Sequence, residues 1–332
     1  MSRPNEFANQ QKDPSMIPTL KIPASLLLLC ICLPVRPCMA FNEGGHHTIA
    51  VLAFRELPEA RQRELIQILR EHPTFMRDFA LPASVRNETE WLIGRAGYWP
   101  DIARAFDEWN RPSWHYQLGP TGVIGDPDVP EDPVQLPEGA DLDLQELHVV
   151  QAITLCRGVL GAAESSESDR ALAICWLCHL VADLHLPVHA GSLYVEGVFD
   201  EGDRGANSIV LRENRNLHAL WDDTLGRKFD EGDVNRRARI IAKEHIPKVR
   251  TQLLSPRNLD PLHWVMNGRQ VALTHVYTEE IMRPIREFAA RGSTDGVAFP
   301  TLSLSKDYFR NAGQVASDRA ALAALRLAKI LE

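Results

Sequence analysis

One run of eleven residues, His179-Leu-Val-Ala-Asp183-Leu-His185-Leu-Pro187-Val-His189, gathers the side chains best suited to chemistry. On a helix, positions four apart share a face, so His179 and Asp183 point the same way. Pro187 breaks the helix just beyond and lets His189 reach back from the following segment. A carboxylate that can bridge two ions thus sits between two imidazoles. Imidazole nitrogen combined with carboxylate oxygen suits zinc better than calcium or magnesium. A second pair, His218 and Asp222, repeats the four-residue spacing. Either pair alone is also what an ordinary helix-surface contact looks like, and the weight comes from their recurrence with further donors upstream. Those donors are Asp101, within Trp99-Pro100-Asp101-Ile-Ala-Arg104, then His115, within Trp114-His115-Tyr116, and His46. His46 lies five residues after Phe41, where an export signal is expected to be cut, and a freed α-amino group is itself a ligand once deprotonated.

The elements that must carry these residues read as helices. Apolar side chains recur at three and four residue spacing through 49–69, 144–160, 171–184, 234–254, 268–290 and 315–331, which is the mark of amphipathic helices. Alternating strand patterns are scarce, and 208–212 is the one candidate. The expected fold class is all-α, a single mostly helical domain over residues 41–332 with long loops. The proline-rich acidic stretch 119–143 reads as a solvated surface insertion.

Residues 1–40 differ from the rest. A nearly unbroken apolar run at 22–35, preceded by Lys21 and followed by Cys38-Met39-Ala40, has the form of a secretory signal peptide behind a polar leader, with Met16 as an alternative start of translation. The run is too short for a permanent membrane span, so no integral membrane segment is expected after its removal, and the protein is expected to be exported. Taking away the segment's four basic and two acidic side chains moves the net charge from −8 to −10. Such a chain offers no broad basic groove, and phosphate binding would rest on metal ions for its positive charge. Three of six cysteines go with the leader, leaving Cys156, Cys175 and Cys178, an odd set read as buried thiols without chemistry. Asn87-Glu88-Thr89 fits a glycosylation sequon, a triplet common by chance.

The order Gly45-His46, Asp101, His115, His179/Asp183/His189 and His218/Asp222 resembles the S1/P1 nuclease family. The likeness covers nearly all of the chain after residue 40. Asp203-Arg-Gly-Ala-Asn207 and Ala323-Ala-Leu-Arg326-Leu-Ala328 add to it, being similar to the family's Asp-Arg-Gly-Gly-Asn stretch and last helix. The resemblance implies three zinc ions: one held by Asp101, His115, His179 and Asp183, a second by His189, His218 and Asp222, and a third by Phe41, His46 and Asp183. Where the family has Trp and then Gly at the start, this sequence has Phe41 and Asn42. It further implies a zinc-activated hydroxide attacking phosphorus in line, with departure of the 3′ oxygen, so that single-stranded RNA or DNA yields 5′-phosphate ends and 3′-nucleotides yield nucleosides. Asp101, Arg104 and Asp183 are the expected catalytic residues. Arg104 would neutralise charge on the phosphoryl oxygens, Tyr116 would stack a base, and Asn207 would contact substrate. His47, His148 and His185 read as structural or supporting histidines.

Two rivals share parts of this pattern. Zinc-dependent phospholipase C enzymes resemble the family, but the short spacing from Phe41 to His46 and Asp222 in place of glutamate argue against a lipase. A silent zinc-binding envelope protein is disfavoured by open histidine and carboxylate ligation, since structural zinc favours closed thiolate sites. No stable protein partner is expected.

Overall fold

Helix α6 (Glu167–His185) runs through the centre of the fold. It starts where the Ser166 hydroxyl accepts the Asp169 amide at 3.0 Å, with Glu167 and Asp169 in the first turn against the positive helix end. From Ala171 to His185 every residue is buried, because the sequence is apolar around the whole helix and leaves no face for water. Leu177 is fully buried there, and its truncation to Ala would cost about 2–5 kcal/mol.

The computed structural model describes residues 41–332 except 118, 213–214, 254–255 and 292–296. The expected export signal and its cleavage point lie outside the described residues. Ahead of α6 come α1 (Glu43–Arg55), α2 (Glu59–Arg70), α3 (Phe75–Asp78), α4 (Glu88–Ala103) and α5 (Val149–Gly161). After it follow α7 (Leu217–Asp222), α8 (Glu231–Glu244), α9 (Ile246–Val249), α10 (Pro261–Val271), α11 (Glu279–Ala289) and α12 (Lys306–Leu331). Strands are short: β1 (Pro120–Ile124) lies parallel to β2 (Ser192–Val195), and β3 (Val210–Leu211) antiparallel to β4 (Arg215–Asn216). The fold is all-α, with α1, α2, α4, α5, α10 and α12 packed around α6, and no described helix is long and apolar enough to cross a membrane.

The structure subdivides several of the apolar runs. Pro58 ends the run 49–69 as one helix, giving α1 and α2 on either side of Glu56–Leu57. The run 234–254 becomes α8, α9 and a 3-10 turn, with Pro247 in the first turn of α9. The run 268–290 breaks at a π-helical turn, Ala272–Val276, between α10 and α11. Within 119–143 the expectation of a purely solvated insertion is corrected. Strand β1 pairs with β2, and Asp132 forms a two-pronged ion pair with Arg269 at 2.7 and 2.8 Å. Asp132 also accepts the Gly119 amide at 2.8 Å, so the stretch is fastened at its base. The three thiols are free and fully buried, as the apolar surroundings of their helices dictate.

Candidate metal centre

Helices α1 and α4 must approach closely for the centre to form, and Gly97 permits it. A Cβ there would lie 3.1 Å from the His46 carbonyl oxygen and from the Ala50 Cβ. The Gly97 carbonyl, left reachable, accepts a hydrogen bond from His179 Nδ1 at 2.8 Å. His46 in the first turn of α1, Asp101 in the last turn of α4 and the His179/Asp183 pair of α6 therefore converge from three helices. His115 joins them from the end of a 3-10 turn, Pro112–His115.

Asp183 is the hub of this group and is fully buried. Its Oδ1 faces His46 Nε2 at 3.3 Å, while Oδ2 faces His115 Nδ1 at 3.0 Å and His179 Nε2 at 3.1 Å. Asp101 Oδ1 lies 4.0 Å from His179 Nε2, and the His46 and His179 rings stack at 4.0 Å. Beyond Pro187, His189 closes a second 3-10 turn and meets His218 and Asp222, one helical turn apart on α7. Asp222 Oδ1 is 3.8 Å from His189 Nε2 and 3.5 Å from His218 Nε2. Three groups result in which the ligand atoms all lie within 4.8 Å of one another: His46/Asp101/His179, His115/His179/Asp183 and His189/His218/Asp222.

The donor chemistry fits a cation. His179, His189 and His218 spend Nδ1 on the backbone carbonyls of Gly97, His115 and Gly205, at 2.8, 2.7 and 2.6 Å. That fixes the tautomer and leaves each Nε2 lone pair aimed at the cluster, the arrangement typical of metal-binding histidines. His46 Nε2, His189 Nε2, Asp101 Oδ2 and Asp183 Oδ1 are buried without a hydrogen-bond partner. Such atoms left unsatisfied would each cost about 1–3 kcal/mol. Burial pushes His46, His115 and His189 well below the usual histidine range, so their imidazoles are neutral at neutral pH, and burial pushes the Asp183 carboxyl up to about 6.

The remaining expected residues surround this core. Phe41 is fully buried, its ring edge-on to His46 at 6.4 Å. Asn42 ties that segment to α7, its amide donating to the Asp222 carbonyl at 3.2 Å and its side chain to Asp223 at 2.9 Å. Arg104 Nε donates to Asp101 Oδ1 at 2.8 Å, which anchors the guanidinium at the cluster's edge. Tyr116 is partly exposed beside His148. Asn207 Nδ2 donates to the Arg204 carbonyl at 2.8 Å, and its Oδ1 accepts from Asn216 at 3.1 Å, so its amide helps to shape the turn ahead of α7.

A family model described as S1/P1 Nuclease matches residues 41–332. The chain belongs to the S1/P1 nuclease family. Among curated proteins it is similar to Endonuclease 1 of Arabidopsis thaliana, 24% identical over 317 residues, covering 92% of this chain and 90% of the relative. It is also similar to Endonuclease 4 of that plant, 26% identical over 181 residues and 52% of this chain. There the alignment spans about half the relative's length, 55%.

Within this S1/P1 family member, supporting contacts emerge that the sequence pattern does not show, including those of His185, an expected supporting histidine. Arg269, besides holding Asp132, donates to the Ala190 carbonyl at 2.9 Å, directly after His189. His185 donates Nδ1 to the Val181 carbonyl at 2.6 Å and its Nε2 faces Arg326 at 2.7 Å, tying the end of α6 to α12. Trp99 donates to Asp78 at 2.9 Å two residues before Asp101. Side chains that meet from positions 21 to 141 residues apart leave no periodic trace in sequence.

Proposed function

We propose that this chain is an exported zinc-dependent nuclease that cleaves single-stranded RNA or DNA to 5′-phosphate products and also acts on 3′-nucleotides. One observation carries the reading: three His/Asp groups whose ligand atoms lie within 4.8 Å of one another, with His46 Nε2, His189 Nε2, Asp101 Oδ2 and Asp183 Oδ1 buried there without a hydrogen-bond partner. In this reading Asp101, His115, His179 and Asp183 hold one zinc, His189, His218 and Asp222 a second, and Phe41, His46 and Asp183 a third. Zinc, when bound, supplies Lewis acidity and the positive charge that draws phosphate into an acidic protein.

The protein's own residues do the rest. Asp183, with one oxygen toward His46 and the other toward His115 and His179, would contribute to both of the donor sets it adjoins. Arg104, held by Asp101, sets a fixed positive charge beside the phosphoryl oxygens. Tyr116 offers a ring face to an unpaired base. In the reaction water oxygen bonds to phosphorus, the bond from phosphorus to the 3′ oxygen breaks, and a water proton ends on that oxygen.

The test is to prepare residues 41–332 with Phe41 as the first residue, count zinc per chain, and assay single-stranded RNA, DNA, 3′-nucleotides and phosphatidylcholine with and without chelator. Near three zinc ions with chelator-sensitive nucleotide cleavage is expected. Cleavage of lipid alone would transfer the reading to the phospholipase, and zinc without phosphoester hydrolysis to a binding protein.

A further inference from the structure

The His189/His218/Asp222 group has weak local support. His189 ends a three-residue 3-10 turn, and His218 and Asp222 sit on α7, a helix of six residues, shorter than a helix that holds itself in water. Ahead of α7 the backbone is strained: Arg204, Gly205 and Ala206 take φ values of 58°, 60° and 68° in succession. Two of these are not glycine, and such conformations persist only where surroundings enforce them. The enforced loop matters because the Gly205 carbonyl is the acceptor that orients His218, and the Ala206 carbonyl accepts the His218 amide at 3.3 Å.

Asp203 starts the loop and is fully buried. Its Oδ1 accepts the Leu193 amide at 2.9 Å and its Oδ2 the Tyr277 hydroxyl at 2.7 Å. Tyr277 immediately follows the π-helical turn Ala272–Val276. The last carbonyl of that turn, Val276, accepts the Tyr308 hydroxyl at 2.9 Å, and the same hydroxyl oxygen accepts Trp221 Nε1 at 3.0 Å. Trp221 directly precedes Asp222. Two connections thus leave one turn: a hydrogen bond from Tyr277 to Asp203, two residues along the backbone from the Gly205 carbonyl that holds His218, and hydrogen bonds through Tyr308 to Trp221, the neighbour of Asp222. π-helical turns are rare and are frequent at functional sites.

We infer that the π turn 272–276 with Tyr277, Tyr308 and Asp203 is a positioning device for the metal bound by His189, His218 and Asp222, setting that ion's affinity separately from the ions on α1, α4 and α6. The inference rests on the metal reading proposed above. Tyr277 and Tyr308 lie outside the three His/Asp groups, and they act through the Gly205 carbonyl and Trp221.

The experiment follows zinc release from the fully loaded protein by a chromophoric chelator for wild type, Tyr277→Phe, Asp203→Asn and His218→Ala, with melting of the metal-free forms alongside. His218→Ala is expected to lose one zinc. In Tyr277→Phe and Asp203→Asn, one zinc of the same stoichiometry is expected to leave at about ten-fold lower chelator, in line with the 10- to 100-fold typical of residues that hold metal ligands. The other ions should be retained, and metal-free melting of Tyr277→Phe should stay close to wild type. Unchanged release in both variants while His218→Ala loses its zinc overturns the positioning role alone. Equal weakening of every ion with a fall in metal-free melting overturns it in favour of general loosening. No zinc lost in His218→Ala overturns the metal reading, and this inference with it.

Discussion

The two halves of the centre are built differently. His46, Asp101, His179 and Asp183 stand on helices of 13, 16 and 19 residues whose packing fixes their direction. His189, His218 and Asp222 stand on a 3-10 turn and a six-residue helix, and borrow stiffness through hydrogen bonds from residues far along the chain. A ligand on a packed helix is oriented by the same apolar burial that folds the protein. One on a short element must be held by polar contacts made for that purpose. Damage to the packing behind the first half should therefore leave the ion of the second half in place, and damage to the supports of the second should release that ion.

Removing a ligand from the first half should produce the largest loss. His179→Ala takes away an imidazole shared by two groups, and hydrolysis is expected to fall by at least about 100-fold, the loss seen when a key charge-stabilising group is removed. Unchanged turnover with full metal content would defeat the ligand assignment. Next come the two glycines. In Gly205→Ala the new Cβ would lie 2.2 Å from the Val188 carbonyl at a φ of 60°, at a cost of roughly 3 kcal/mol in urea unfolding. It should also release the zinc of the second half. Gly97→Ala pushes α1 from α4 at 3.1 Å contacts, for about 1–3 kcal/mol. If both glycine variants release zinc alike, the contrast between the halves fails.

Tyr116→Ala is expected to raise KM for single strands by about ten-fold through lost base stacking, with kcat changed much less; a fall in kcat alone would place the ring elsewhere in the cycle. The smallest effect concerns acid stability behind the first half. Burial pushes the Asp78 carboxyl up, but donors from Arg77, Thr74 and Trp99 outweigh it and hold it at about 2. Because the folded value lies below the ordinary 3.8, this stabilisation is present above 3.8 and lost as pH falls through 2. Asp78→Asn should lose about 1 kcal/mol at neutral pH and show a flatter decline between pH 4 and 2. An identical decline in wild type and variant would remove Asp78 from the account.

Much of the candidate site was legible because helical spacing writes two candidate ligands into five residues, as in His179/Asp183 and His218/Asp222. The helical class was legible from apolar periodicity. The places where periodicity misled are those where proline or a π turn interrupts an apolar run, at Pro58, Pro247 and Ala272–Val276. What held each imidazole was hidden. Gly97 and His179 are 82 residues apart, and Tyr277 and Asp203 are 74 apart. Carbonyl acceptors carry no side-chain signature, and a tyrosine after an ordinary helix pattern gives no sign of its partner. The base of the 119–143 stretch escaped for the same reason, since Asp132 meets Arg269 only in the folded chain.

The sealed thiols Cys156, Cys175 and Cys178 carry a practical corollary. Burial pushes Cys178 up to about 12 and the other two higher still, so the reactive thiolate is scarce at any working pH. All three are free, so the described part of the molecule holds no disulfide for a reductant to break. Dithiothreitol at levels too low to strip metal should leave its melting unchanged, and refolding should need no oxidant, only the ion.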